Sequence, residues 1–172
     1  MIVAEVYMEI ERKYLIEQLP FFAEQYPFHR IEQAYLNTDP VIRIRREDDS
    51  FYLTYKAKGQ MVREEYNLPL NAESYRHLLP KADGNVIRKK RFLIPISENR
   101  TAELDIFEAP FDPLKLVEVE FPDEASAISF IPPDWFGREV TFSSAFHNST
   151  LSRLSESELL SKSFLLSNST TL

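Results

Sequence analysis

The chain contains no cysteine. Disulfide staples and thiolate chemistry are therefore excluded as sources of stability or activity. Glycine occurs only three times. No GxxxxGK[ST] or GxGxxG loop is present, so the familiar backbone cradles for phosphate are missing. The three histidines, His29, His77 and His147, stand far apart in sequence. They do not have the spacing of a zinc site and read as surface or packing positions. No apolar run nears the roughly 20 residues of a membrane-spanning helix. The N-terminus has no basic segment leading into an apolar one, so no signal peptide is expected. A cytoplasmic protein without a membrane partner is the expectation.

Acidic residues number 27 against 20 lysines and arginines, a net charge of −7. That balance argues against a nucleic-acid partner, whose phosphates demand a basic face. The sum conceals clustering, because basic residues gather at 43–46, 56–63 and 88–91. The 172-residue length and 44% hydrophobic content suit one globular domain with a real core. The domain is expected to span residues 1–160, with a loose, Ser-rich tail over 161–172. No tandem repeat is visible.

Alternating and β-branched patterns predict eight strands, over residues 2–16, 31–36, 41–46, 51–58, 61–70, 86–96, 101–108 and 115–121. A short helix is expected at 15–19. Asn37-Thr38-Asp39-Pro40 and Glu47-Asp48-Asp49-Ser50 are turn signals, and Gly59-Gln60 is another. Asn71 reads as the N-cap of a helix to residue 79, with Glu73 in its first turn. Asp83-Gly84-Asn85 is expected to close that helix. Residues 123–130 form a second candidate helix, stopped by Pro132-Pro133. Residues 142–160 read as partly helical.

Alternate side chains of a strand share a face. One face of the first strand carries Glu9, Glu11 and Lys13. The corresponding faces carry Arg43 and Arg45, Lys56 and Lys58, Arg63 and Glu65, Lys89 and Arg91, Glu103 and Asp105, and Glu118 and Glu120. An ordinary antiparallel sheet would turn such faces to water. Here the signs are sorted by strand, which a solvated face does not require. The pattern predicts an α+β, mostly β fold: an eight-stranded antiparallel closed barrel, or tunnel, with a polar lumen and helices packed outside. Clustered carboxylates call for a cation, and hard oxygen donors suit Mg²⁺ or Mn²⁺. Clustered Arg and Lys call for a polyanion. A metal-bound polyphosphate satisfies both.

Glu9-x-Glu11-x-Lys13, Arg43-x-Arg45, Leu53-Thr54-Tyr55-Lys56, Arg63-x-Glu65, Lys89-x-Arg91, Glu103-x-Asp105 and Glu118-x-Glu120 together resemble the CYTH domain, the triphosphate tunnel metalloenzyme superfamily. The resemblance covers roughly residues 4–150. The compact size and the Tyr35-Leu36…Ile42-Arg43-Ile44-Arg45 run look most like the small bacterial inorganic triphosphatases. The resemblance implies hydrolysis of inorganic triphosphate, or another triphosphorylated small molecule, by a monomer or homodimer with Mg²⁺ or Mn²⁺. It implies metal carboxylates at Glu9, Glu11, Asp105, Glu118 and Glu120, joined by Glu103 and Glu65. Lys13, Arg43, Arg45, Lys56, Arg63, Lys89 and Arg91 would hold the phosphates. Tyr35 and Lys56 are candidates for orienting or deprotonating the attacking water, Lys56 as a base if neighbouring cations lower its pKa.

The chain departs from the family pattern at two places. Arg63-x-Glu65-x-Asn67 lacks the third charge of the family's Arg-x-Glu-x-Glu. In Ser144-Ala145-Phe146-His147-Asn148, Ala145 stands where the family often has a lysine. Alternatives on the same scaffold are a thiamine triphosphatase or a class IV adenylate cyclase. A non-catalytic polyphosphate-binding tunnel is the alternative outside enzymes.

Overall fold

The structure is a computed structural model that describes residues 6–20, 22–58, 61–97 and 99–166. Eight strands form the body: β1 (Val6–Leu15), β2 (Phe28–Thr38), β3 (Val41–Glu47), β4 (Ser50–Lys56), β5 (Val62–Leu70), β6 (Asp83–Ser97), β7 (Arg100–Phe107) and β8 (Lys115–Glu120). All pairings are antiparallel, and the ring order is β1-β5-β4-β3-β2-β6-β7-β8. The ring closes through β1 alone. Its first half, Val6 to Ile10, pairs with β5, and its second half, Glu11 to Leu15, pairs with β8. The closure is thus staggered along one strand. The edge that β1 leaves free near Lys13 is taken by a later segment: Val140 N donates to Lys13 O at 2.8 Å, and Leu15 N to Arg138 O at 2.9 Å.

The charged faces point inward. Glu9, Glu11, Lys13, Arg43, Lys56, Glu65, Lys89, Arg91, Asp105 and Glu118 are all buried. The outer face of β1 and β6–β8 is apolar, with Ile10, Tyr14, Phe92, Ile94, Leu104, Val117 and Val119 in one cluster. Helix α2 (Glu124–Ser129) covers it with Ala127, helped by Phe130, Trp135 and Phe136. Arg12 fastens this cover. Its guanidinium donates to both Glu139 oxygens, at 2.6 and 2.8 Å, and to the carbonyls of Ala127 and Phe130, each at 3.0 Å. A second cover, α1 (Ala72–Leu78), packs Tyr75 against Ala34 and Ile44. Asn71 caps it, accepting from Ser74 N at 2.7 Å.

The C-terminal segment packs differently from the expected outer helix. It contains α3 (Asn148–Leu151) and α4 (Glu156–Ser161). Phe146, Leu151, Leu159 and Phe164 join Tyr35, Ile87, Phe107 and Leu116 in one buried cluster. Ile87, Phe107 and Leu116 share strand parity with Lys89, Asp105 and Glu118, so they face the lumen. The segment therefore caps one end of the barrel. Phe164 is 4% exposed, so the ordered packing runs past the tail boundary expected at residue 161. Aromatic burial there outweighs the Ser-rich composition. Residues 167–172 lie outside the described residues.

Three other expectations fail locally. The chain bends after Leu15 where a helix at 15–19 is predicted, because Pro20 and the backbone bonds of Leu15 and Ile16 hold it off helical geometry. Asp83-Gly84-Asn85, expected to close the helix, opens β6 instead. Lys58 lies beyond β4 and its side chain is 84% exposed, so it is not a lumen residue. The predicted turn at Gly59-Gln60 lies outside the described residues.

Gly84 has a structural reason. Its φ is +71°, and a Cβ there would sit 2.2 Å from Ser152 O. The neighbouring Asn85 N donates to that same carbonyl at 2.6 Å. This close approach ties the start of β6 to the cap. Gly84→Ala is expected to cost more than about 1 kcal/mol, from positive φ and the clash together. A chemical-denaturation midpoint equal to that of the parent chain would contradict this.

Candidate functional site

The lumen holds a narrow, polar cavity of about 90 Å³. Its lining includes Glu9, Glu11, Lys13, Tyr35, Arg43, Arg45, Lys56, Glu65, Arg91, Glu118 and Glu120. In the ring, β3 stands four places from β8 and β4 four places from β7. The basic wall of β3 and β4 therefore faces the acidic wall of β7 and β8. Charge that the sequence sorts by strand is sorted across the lumen.

The walls differ in how their charges are satisfied. Arg91 is the hub of the acidic side. Its Nε donates to Asp105 at 2.7 Å, and its terminal nitrogens reach Asp105, Glu103 and Glu118. Lys13 Nζ lies 2.8 Å from Glu118 and 3.5 Å from Glu11. Burial pushes the Glu118 carboxyl up, but Lys13, Arg91 and Lys89 outweigh it and hold the group well below its usual range. Glu120 has the opposite balance. Burial, then the nearby Glu103, Glu9 and Glu11, push it up to about 7.

On the basic wall, Arg45 is pulled down to about 10 by burial and by Arg43 and Arg91. The Nε atoms of both Arg43 and Arg45 are buried with no hydrogen-bond partner among the described residues. Arg43 reaches Glu65 only at 3.9 Å. Buried donors without acceptors are costly, and two on one wall mark a place for an anion. Between the walls, Gln33 is fully buried and links two site residues. Its Oε1 accepts from Arg45 at 3.1 Å, and its Nε2 donates to the Tyr35 hydroxyl at 3.2 Å.

Several expected roles change. Lys56 donates to both oxygens of Glu9, at 2.6 and 2.7 Å, and also pairs with Glu65. Carboxylates flank it, where a basic amine would need neighbouring cations, so the base role loses its physical ground. Lys89 pairs with Asp105 and does not line the cavity. Burial pulls it down to about 8 against the attraction of Asp105. Asp105 and Glu103 likewise do not line the cavity, being bound to Lys89 and Arg91. Arg63 stands in β5 opposite Glu9, and its side chain lies outside the described residues. Ala145 packs against the apolar cluster of the cap rather than facing the cavity. His147, read from sequence as a surface or packing residue, lines the cavity together with Asn148 and Ser149. Gln33 was legible only as the partner of Tyr35 at i, i+2. The His147 segment had no periodic signal at all.

The donor set fits a hard divalent cation, being carboxylate oxygen throughout; burial first, then the like charge of Glu103, Glu9 and Glu11, raises Glu120 at its rim. Among the described residues, however, no three acids converge closely enough to enclose an ion. Most are drawn onto Lys13, Lys56, Lys89 or Arg91 instead.

The model of the CYTH domain matches residues 8–153. The chain belongs to the CYTH family. Among the relatives of this CYTH protein is an inorganic triphosphatase of Nitrosomonas europaea, 35% identical over 148 residues, covering 83% of this chain and 95% of that protein. An inorganic triphosphatase of Acetivibrio thermocellus is 31% identical over 83% of this chain and 92% of its own length. A crystal structure of an inorganic triphosphatase matches with a TM-score of 0.65 at 33% identity, covering 86% of this chain and 95% of that one. Membership implies a divalent metal and a triphosphate substrate. No helix of the described residues is long and apolar enough to cross a membrane.

Because Glu120 sits above its ordinary value of 4.5, its stabilising contribution in metal-free protein is complete below that pH and lost as pH rises past about 7. Glu120→Gln is therefore expected to raise the melting temperature in chelator at pH 8 and to leave it nearly unchanged at pH 5. Equal effects at both pH values would show that the crowding is not electrostatic.

Proposed function

We propose that this CYTH protein hydrolyses inorganic triphosphate to pyrophosphate and phosphate, with Mg²⁺ or Mn²⁺. The observation that carries the reading is the buried Arg43–Arg45 pair, which lines the polar lumen cavity opposite the carboxylates of β8 and keeps two Nε donors without acceptors among the described residues. Arginine suits phosphate oxygens in forked geometry. The identity to two inorganic triphosphatases supports the same substrate class.

Among the described residues, Tyr35 and His147 are the ring side chains lining the narrow cavity, which leaves little room for stacking an adenine or a thiamine ring. That favours an inorganic chain over the nucleotide and thiamine alternatives.

Phosphoryl transfer to water needs mainly positioning and neutralisation of oxygen charge. Arg43 and Arg45, successive inward residues of β3, would grip neighbouring phosphates along the lumen. Lys56 and Lys13 would add donors from the sides, and Arg91 would hold Glu118 in register. Glu11, Glu120 and Glu9 would hold the divalent cation, with Glu118 beside them. When bound, that cation would neutralise phosphate charge and polarise the reacting bond. Tyr35, its hydroxyl fixed by Gln33, would orient water at the capped end.

Phosphate release from inorganic triphosphate with Mg²⁺ or Mn²⁺, beside ATP, thiamine triphosphate and pyrophosphate, tests the reading. Turnover of inorganic triphosphate that is fastest of the four and lost with chelator is expected. Binding that raises the melting temperature without turnover would instead indicate a sequestering tunnel. Glu118→Gln is expected to lower turnover at least about tenfold, since the amide cannot hold Lys13 and Arg91 as a carboxylate does. An unchanged rate would remove Glu118 from the site.

A further inference from the structure

We propose that His147 is a substrate-contacting residue that supplies the phosphate donor at the capped end of the lumen. The inference rests on the triphosphatase reading and adds a residue to it. His147 borders two spaces at once. It lines the lumen cavity beside Lys56 and Tyr35, and it lines an adjoining surface groove with Lys56, Lys58 and Arg153. A group at that junction meets the last phosphate of a chain lying along Arg45, Arg43 and Lys56.

The position is rigidly built. His147 N donates to Ser144 O at 3.2 Å, and its carbonyl accepts from Thr150 N at 2.9 Å and Leu151 N at 3.0 Å. Phe146 before it and Leu151 after it are fully buried in the cap cluster. Ser152 O is held by both the backbone and side-chain nitrogens of Asn85. The imidazole is thus carried on a backbone fixed on both sides, as a binding group requires.

The chemistry of the surroundings favours a donor. Lys56 stands on the lumen side, Lys58 and Arg153 on the groove side, and Asp39 pairs with Lys58 at 3.3 Å. Farther into the lumen lie Arg43, Glu9 and Glu65. An imidazole can donate to a phosphate oxygen in either protonation state, and a bound polyanion favours its cationic form. Position 145 cannot serve, because Ala145 faces the apolar cluster.

The test is steady-state kinetics with inorganic triphosphate and Mg²⁺ for wild type, His147→Ala, His147→Lys and His147→Leu. His147→Ala is expected to raise KM about tenfold, the scale of one charge-assisted hydrogen bond, with kcat changed by less than about twofold. His147→Lys, which keeps a cationic donor, is expected to recover most of that loss. A KM for His147→Ala equal to wild type, or a lysine variant no better than the alanine one, overturns the proposal. If His147→Ala melts early, His147→Leu keeps the bulk without a donor, and a wild-type KM in that variant is equally fatal. Absence of turnover in the wild-type enzyme would instead overturn the triphosphatase reading itself, so the two failures are distinct.

Discussion

Burying charge is the constraint from which this structure follows. A lumen lined by carboxylates, ammonium groups and guanidinium groups is unaffordable unless each finds a partner. The fold meets that demand by curling eight strands so that acidic and basic rows confront each other. Arg91 shows the solution at its most concentrated, with one guanidinium serving Asp105, Glu103 and Glu118. The apolar outer face then has to be covered, and Arg12 secures the cover over β1 by reaching two carbonyls and a carboxylate in the segment that lies across it.

The internal pairing is uneven, and the unevenness makes the site. Where β6 meets β7 the ions saturate one another, so Lys89 and Asp105 act as structure. Where β3 faces β8 they do not saturate. Arg43 and Arg45 keep buried donors unused, while Glu120 is crowded by like charge. A ligand that is anionic on one side and carries a cation on the other relieves both imbalances at once. Lys56 shares its ammonium between Glu9 and Glu65 on the same side of the lumen.

Much of the architecture was legible because period-two alternation is a strong signal, and because sign-sorted charges at i, i+2 are unusual on a solvated sheet. Asn71 announced its helix by capping chemistry, and that cap forms. What was not legible depended on long-range packing. Nothing local to Lys89 says that Asp105, across the β6–β7 pair, removes it from the cavity. Nothing local to His147 says that Phe146 and Leu151 sink into the barrel end and leave the imidazole at the lumen. Ala145 and His147 exchange their expected importance for that reason alone. The β1 seam, too, is invisible in sequence, since it depends on which strands arrive beside it.

That seam sets an order on assembly. β1, the first of the eight strands in chain order, is the one that closes the ring, and Glu11 pairs with Glu120, more than one hundred residues later. Until β8 leaves the ribosome, β1 has only β5 to hold, and its charged inner face has no opposite wall. The hairpins from β2 to β5 can form from near neighbours. Closure cannot, so the polar lumen is complete only once β8 is in place against β1.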